Sequence, residues 1–156
     1  MAKDTVTDRI PEWKLQAHIA AHLDSRIALA SQDTGSCPFA YAASLEGVIG
    51  NLNPYQSKLA IATGVKKGEP DLRLYFAGGR IVFVELKEAT TGKLTDSQKV
   101  RIPLLRRLGF TVHVVHATTC DEGVALVGAI VEAELESPGS SAAMVSATWW
   151  PKERGK

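Results

Sequence analysis

Three ionisable side chains, Asp71, Glu85 and Lys87, stand on either side of a short turn and could act on the same substrate. Two runs rich in branched and aromatic residues, 71–76 and 80–87, are separated by a segment with two adjacent glycines. This pattern predicts two antiparallel strands joined as a β-hairpin. Alternate side chains of a strand share one face, so Glu85 and Lys87 point the same way.

The register of the hairpin decides whether Asp71 joins the other two side chains. A two-residue turn would place Asp71 opposite Leu86, on the other face of the sheet. A three-residue loop over 77–79 places Asp71 opposite Glu85 instead. We predict the second register because it also gathers six apolar side chains on the opposite face, as a core requires. These are Leu72, Leu74, Phe76, Val82, Val84 and Leu86.

Two carboxylates beside one ammonium group suit a divalent metal and phosphate chemistry. Mg²⁺ is usually held by one or two carboxylates and completes its shell with water and phosphate oxygens. A lysine beside it can orient a water molecule or stabilise developing negative charge. The alternative is a set of exposed strand charges that contribute little to stability. It leaves unexplained why two acids face each other across a ladder, where like charges repel.

The residues around these three form a longer pattern. Pro70-Asp71 is followed by Glu85-Leu86-Lys87, which resembles the signature of PD-(D/E)XK nucleases. With its glycines and the downstream Gln98, the pattern is similar more narrowly to the VRR-NUC (virus-type replication-repair nuclease) domain, over roughly residues 12–130. The residues that carry the resemblance are Gly64-Val65-Lys66-Lys67-Gly68-Glu69-Pro70-Asp71, Glu85-Leu86-Lys87, Gly92-Lys93-Leu94-Thr95 and Gln98.

The resemblance implies a fold, an activity and a cofactor. The fold is an α/β domain with a PD-(D/E)XK restriction-endonuclease-like core, in which helices flank a central mixed β-sheet. The activity is hydrolysis of DNA phosphodiester bonds with Mg²⁺, for which Mn²⁺ is expected to substitute. The alternative is a catalytically inactive nucleic-acid-binding module that keeps the nuclease fold. The substrate structure, endo- or exonuclease action, and the choice between DNA and RNA stay open.

The resemblance also implies a role for each motif residue. Asp71 and Glu85 would bind the metal together with the Leu86 carbonyl. Lys87 would orient the attacking water, and Gln98 would assist from the following helix.

The resemblance also implies an additional acidic residue near the metal, for which two candidates fit. Glu12 stands at the start of the first helix, where it could point inward or simply complement the helix dipole. Glu46 follows the first predicted strand. Gln98 likewise has an alternative role, because Thr95-Asp96-Ser97-Gln98 matches a capping box that begins a helix.

Periodicity predicts the other elements. A helix from Pro11 to about Ala30 presents an apolar stripe (Leu15, Ile19, Leu23 and Ile27). A strand follows over 38–43, and Asn53-Pro54 and Gly64 bound a short helix.

The second half of the chain is predicted to continue as helix, strand and helix. A helix after Thr95 would pack through Val100, Leu104, Leu105 and Leu108. A buried strand is predicted over 110–116. Thr119 would cap a last helix over about 120–134. A helix that connects two strands is typical of a parallel or mixed sheet.

Charge is distributed unevenly along a chain whose formal net charge is only +1. Residues 64–107 hold ten Lys or Arg against five Asp or Glu, and the remainder is acidic. A basic excess around the motif is what a phosphate-binding face requires. The cations expected to contact nucleic acid are Lys66, Lys67, Arg73, Lys93 and Lys99.

Composition indicates one globular domain of 156 residues, with 45% hydrophobic residues. We expect a polar arm over 1–10, the nuclease-like domain over 11–135 and a flexible or docking tail over 136–156. No stretch predicts a membrane span, and two distant cysteines are typical of reduced thiols. The expected location is the cytoplasm, or the host cytoplasm if the chain is viral.

Two further features bear on metals and partners. His18 and His22 have the i, i+4 spacing of a zinc pair, but no third ligand is evident and a surface pair is favoured. A homodimer is expected because symmetric cleavage of a duplex or junction needs two sites. Apolar residues of the tail are candidates for that interface, namely Met144, Val145, Trp149 and Trp150.

Overall fold

A four-stranded sheet forms the centre of the computed structural model, which describes residues 10–35, 37–45 and 52–137. The strands lie in the order β1-β2-β3-β4. The first three are antiparallel neighbours, and β4 is parallel to β3, so the predicted mixed sheet is confirmed. Their bounds are β1 Phe39–Ala43, β2 Leu72–Phe76, β3 Arg80–Glu88 and β4 Thr111–Ala117.

Four α-helices within the described ranges flank this sheet. The first begins directly after Pro11 and ends at Gly35, whose φ of 65° is left-handed. Its last residue, Thr34, lies four positions beyond the predicted end at about Ala30. None of these helices is long and apolar enough to cross a membrane. Their bounds are α1 Glu12–Thr34, α2 Pro54–Ala62, α3 Asp96–Arg107 and α4 Cys120–Glu136.

The hairpin of β2 and β3 has the register predicted from its apolar pattern. Phe76 pairs with Arg80 and Leu72 with Val84, around a three-residue 3₁₀ turn over Ala77–Gly79. One step beyond the last pair, this register sets Asp71 opposite Glu85. All six apolar side chains expected on the other face are buried in the core, so this prediction is confirmed.

Each face of the sheet has its own apolar cluster, and β3 contributes to both. Val82, Val84 and Leu86 pack with the apolar residues of α1 and α4. Phe83 faces the other way, towards α3 and β4. Because side chains alternate along a strand, Glu85 and Lys87 lie on the face that carries Phe83.

The inward face of α3 differs from the prediction. Val100 is 71% exposed and Leu108 is 63% exposed, so their predicted packing is wrong. The buried side chains of this helix are Gln98, Ile102 and Leu105. These positions are spaced i, i+4, i+7 and share one helix face, whereas Val100 lies on another.

Candidate active site

Glu85 is the buried centre of the site, with a side chain that is 0% exposed. Its Oε1 accepts hydrogen bonds from Lys87 Nζ at 2.7 Å and from Gln98 Nε2 at 2.5 Å. Its Oε2 is buried and has no hydrogen-bond partner among the described residues. An unsatisfied buried carboxylate oxygen is costly, so this atom is suited to receive a ligand.

Asp71 approaches Glu85 from the residue that precedes β2. Its Oδ2 accepts the Leu86 N–H at 2.7 Å, and its backbone carbonyl accepts the Ser44 N–H at 2.8 Å. The N–H and C=O of one strand residue point towards the same neighbouring strand. The Leu86 carbonyl therefore also points to the side of Asp71, beyond the last paired residue of β2.

Gln98 both caps α3 and contacts Glu85, so the two alternatives do not exclude each other. Its assistance in catalysis stays a prediction. Its backbone N–H is accepted by Thr95 Oγ1 at 3.3 Å, and its Oε1 accepts the Thr95 N–H at 2.8 Å. This reciprocal pair is the capping box that begins α3. The amide nitrogen of the same side chain donates to Glu85. The cap thus fixes which end of the amide faces the carboxylate.

Two glycines of the motif permit close approaches around these residues. A Cβ on Gly68, whose φ is 80°, would lie 2.5 Å from the Ser97 backbone carbonyl. Gly68 therefore lets the segment before Asp71 lie against the start of α3. A Cβ on Gly92 would lie 2.4 Å from a backbone oxygen of β3 and 2.9 Å from Lys87 Cβ. The loop after β3 can consequently fold back over Lys87.

The Gly68→Ala variant is expected to lose stability and to displace Gln98. Alanine must adopt a left-handed φ and also clashes with backbone atoms, at a cost of about 1–3 kcal/mol for the backbone strain alone. Gly79→Ala is the matched control, because Gly79 has φ 75° but open space around its Cβ position. Urea denaturation should show a clearly larger loss for Gly68→Ala. Equal losses would contradict the close approach.

Glu12 reaches the site through Lys87. Its two carboxylate oxygens lie 3.4 and 3.3 Å from Lys87 Nζ, and its side chain is 47% exposed. The helix start therefore does bring this acid to the motif. Its role as a metal ligand stays a prediction. Glu46, the other candidate, lies outside the described residues.

The surroundings of Glu85 shift its proton equilibrium. Burial, and then the charge of Asp71, raise the pKa of Glu85 to about 7 despite the opposing effect of Lys87. Burial lowers the pKa of Lys87, but its hydrogen bond to Glu85 and the nearby carboxylates outweigh this, so the net shift is upward. The site thus holds a carboxyl group that changes charge near neutral pH.

Without metal, the raised pKa of Glu85 predicts that stability falls as the pH rises. The folded state holds this proton more tightly than the unfolded chain, whose Glu pKa is about 4.5. The resulting stabilisation is fully present below pH 4.5 and is lost as the pH rises through about 7, by on the order of 3 kcal/mol. Urea denaturation in EDTA between pH 4.5 and 8 should show this loss relative to Glu85→Gln. Parallel curves would contradict it.

The predicted nucleic-acid-binding cations are distributed over different surfaces. Lys66 and Arg73 line a cavity of about 310 Å³, and the neighbouring Lys67 is exposed outside it. Lys93 lines a second cavity of about 420 Å³, beside Glu12 and the loop after β3. Lys99 is exposed and forms an ion pair with the first residue of α3.

Arg101 is a residue that the sequence reasoning left unassigned. Its Nε and Nη2 both donate to Glu69 Oε2, at 2.8 and 2.7 Å, and both residues line the cavity that contains Arg73. Arg101 lies three positions after Gln98, which puts the two on one helix face. This spacing could have been read from the sequence, and it places Arg101 rather than Lys99 on the helix face of Gln98.

The donor set around Glu85 suits Mg²⁺ rather than a metal that requires several protein ligands. No group of three His, Cys, Asp or Glu residues able to hold a metal occurs in the described ranges. His18 and His22 therefore have no third ligand among the described residues. Hydrogen bonds from the side chain and the N–H of Thr90, and then from those of Thr91, lower the pKa of the Glu88 carboxylate to about 2. Besides Glu12, whose role stays a prediction, the donors are two carboxylates and one carbonyl, a set that Mg²⁺ accepts when water completes its shell.

Comparison with known proteins finds solved structures that are similar to this chain. No protein-family model matches the chain, and no curated protein matches it. A structure described as "VRR_NUC domain" is 19% identical with a TM-score of 0.43, over 73% of this chain and 95% of its own. Another, described as "VRR_NUC domain protein", is 17% identical with a TM-score of 0.48, over 88% and 96%. The chain is thus similar to solved structures that carry the family name its motif resembles.

Proposed function

We propose that this protein is a Mg²⁺-dependent nuclease of the VRR-NUC type that hydrolyses DNA phosphodiester bonds. The observation that carries the proposal is the buried Glu85 carboxylate with an unsatisfied Oε2, beside Asp71 and Lys87. A purely structural carboxylate would be expected to have both oxygens satisfied. Mn²⁺ should replace Mg²⁺, and branched or junction DNA is the proposed substrate class.

Each residue of the site has a role in this proposal. Asp71, Glu85 and the Leu86 carbonyl would hold the metal, which supplies Lewis-acid activation of water and charge neutralisation at phosphorus. Lys87 donates hydrogen bonds and would orient the attacking water. Gln98 keeps Glu85 Oε1 engaged, so that the carboxylate does not rotate. Glu12 holds Lys87 from the solvent side.

A non-catalytic nucleic-acid-binding module is the second candidate. Glu85 Oε1 is already engaged by Lys87 and Gln98, and a buried ion pair of this kind can serve the fold alone. This alternative predicts DNA binding without cleavage under every metal condition.

Incubation with labelled DNA structures distinguishes the two. Purified protein is mixed with single strands, duplexes, flaps and four-way junctions in the presence of Mg²⁺, Mn²⁺ or EDTA. The proposed nuclease cleaves at least one structure with metal and none with EDTA. Binding without cleavage in every arm would reject it in favour of the module.

Metal should stabilise the wild-type protein and leave Glu85→Gln almost unaffected. A ligand that binds only the folded state raises the melting temperature, by an amount equivalent to about 2.7 kcal/mol at 100 times its Kd. Thermal unfolding with and without Mg²⁺ at pH 8 measures this shift, because Glu85 is then ionised. Equal shifts in both proteins would place the cation elsewhere.

The proposal extends to a cytoplasmic homodimer in which each subunit supplies one metal site. Symmetric cleavage of a branched duplex needs two sites related by a two-fold axis. The tail residues expected at this interface lie outside the described residues. Light scattering of the full chain and of a chain that ends at Ser137 tests both the assembly and the role of the tail.

A further inference from the structure

A second polar site lies on the same face of the sheet as Glu85. It is a cavity of about 310 Å³ between β2, α3 and the segment that follows α2. Among the described residues, three cations line it, Lys66, Arg73 and Arg101, together with the carboxylate of Glu69. A volume of this size is at the small end of ligand sites, which span roughly 300–1,000 Å³. It suits a compact anion with its water better than a large molecule.

The hydrogen bonding of the cavity leaves donors for such an anion. The Nε–H of Arg73 is buried and has no hydrogen-bond partner within the described ranges. Arg101 is turned towards the cavity by Glu69, which accepts from two of its nitrogens. Guanidinium groups pair with phosphate through fixed, parallel donors. Arg73 therefore provides the unsatisfied donor and Arg101 an oriented second charge.

The nearby carbonyls at the end of α2 accept hydrogen bonds from their own segment. Thr63 Oγ1 donates to two of them, at Leu59 and Ala60, and the Val65 N–H also donates to Ala60. The carbonyl of Ile61 accepts the Gly64 N–H. Within the part of the chain that the structure describes, the cavity therefore keeps an excess of positive charge that suits an anion.

The position of the cavity indicates which anion it receives. Arg73 and Asp71 are two residues apart at the start of β2, which puts their side chains on one face about 7 Å apart along the strand. This separation is of the same order as that between successive phosphates of a nucleic-acid strand. A strand whose scissile phosphate lies at Asp71 and Glu85 would bring its next phosphate to Arg73.

We propose that Arg73, Arg101 and Lys66 hold an internal backbone phosphate adjacent to the scissile one, with Glu69 positioning Arg101. The proposal rests on the proposed nuclease function and sets the path of the strand, from the metal site across β2 towards the end of α2. The pocket recognises phosphate and no base, so it adds affinity and register without sequence preference.

Binding of a fluorescein-labelled twelve-nucleotide thymidine strand in EDTA tests the pocket without cleavage. Anisotropy is measured between 50 and 200 mM KCl for wild type, Arg73→Gln, Arg101→Gln and Lys66→Gln. Each cavity variant should bind about tenfold more weakly or worse, as for the loss of a charged hydrogen bond. Each should also lower the salt slope by about 0.7. Arg107→Gln is the matched control, on the same helix, exposed and outside the cavity, and should bind like wild type.

Further arms separate the possible sources of phosphate and the possible failures. Circular dichroism checks whether each variant folds. Because Lys66 is exposed, Lys66→Gln keeps the test decisive if an arginine variant unfolds.

Strands with a 5′-phosphate or a 5′-hydroxyl should bind equally. A preference for the 5′-phosphate that Arg73→Gln abolishes would overturn the assignment of the pocket to an internal phosphate. Cavity variants that bind like Arg107→Gln would overturn the pocket itself. Wild type that binds through the cavity but cleaves nothing with Mg²⁺ or Mn²⁺ would reject hydrolysis and leave the pocket standing.

Discussion

Asp71→Asn and Glu85→Gln are each expected to lower DNA cleavage by roughly 10²–10³-fold or more, the range seen when a charge-stabilising group is removed from an active site. Both changes keep the size of the side chain and remove one negative charge from the proposed metal site. Glu85→Gln also removes a buried charge, so the fold should tolerate it. Single-turnover cleavage of the best substrate at pH 8 with saturating Mg²⁺ measures the loss.

The control for this pair is Asp96→Asn, on an acid that is exposed and paired with Lys99 at the surface. It should cleave like wild type, since surface pairs of this kind contribute little. DNA binding in EDTA should stay within a few-fold of wild type for all three variants, because the cations are untouched. Cleavage at wild-type rates by either Asp71→Asn or Glu85→Gln would remove that residue from the site.

The sequence predicted the hairpin well because its register has only one answer that buries the apolar residues. A slip of one residue would turn the whole set from Leu72 to Leu86 to the other face. The same constraint brought Asp71 opposite Glu85, since both acids are tied to the strand pattern. The alternation of apolar and polar residues in the two strands is therefore enough to predict that Asp71 and Glu85 lie opposite each other.

Helix α3 shows why the remainder was harder to predict. Counting apolar residues favoured Val100 and Leu108 as inward positions, yet the inward face begins at a polar residue, Gln98. That face also carries Ile102 and Leu105, which pack in the core, and it turns Gln98 towards its hydrogen bond with Glu85, a tertiary contact. A polar side chain can lie on the inward face of a helix when a buried partner satisfies it, and a count of apolar residues does not reveal this.

The same contact explains why Gln98 could not be assigned to one role. A capping box is visible in four consecutive residues, whereas the approach to Glu85 depends on where α3 lies. Gly68 allows that approach, and its clash with Ser97 is equally invisible in the sequence. Arg101 was not predicted because it lies on the same helix face as Gln98, and the direction of that face depends on where α3 lies.

Lys87→Met is expected to lower stability by an amount that depends on pH. Lys87 lowers the pKa of Glu85, so without Lys87 the buried carboxyl stays protonated at pH 8. Holding that proton one pH unit above the wild-type pKa of about 7 costs about 1.4 kcal/mol. At pH 5 Glu85 is protonated in the wild type, because burial and Asp71 raise its pKa to about 7. Lys87 then has no negative charge to balance at Glu85, and the variant should lose little stability.

A double-mutant cycle in EDTA isolates this coupling from other effects of the substitution. Adding Glu85→Gln to Lys87→Met removes the carboxyl group that must hold this proton, so the double variant should recover to within about 1 kcal/mol of Glu85→Gln alone at pH 8. The exposed pair of Lys99 and Asp96 provides the matched cycle, and its coupling should stay below about 0.5 kcal/mol at both pH values. Urea denaturation at pH 5 and pH 8 gives both cycles. A Lys87→Met cost that is the same at the two pH values, or a double variant that recovers nothing, would mean that Lys87 does not serve to balance the buried Glu85.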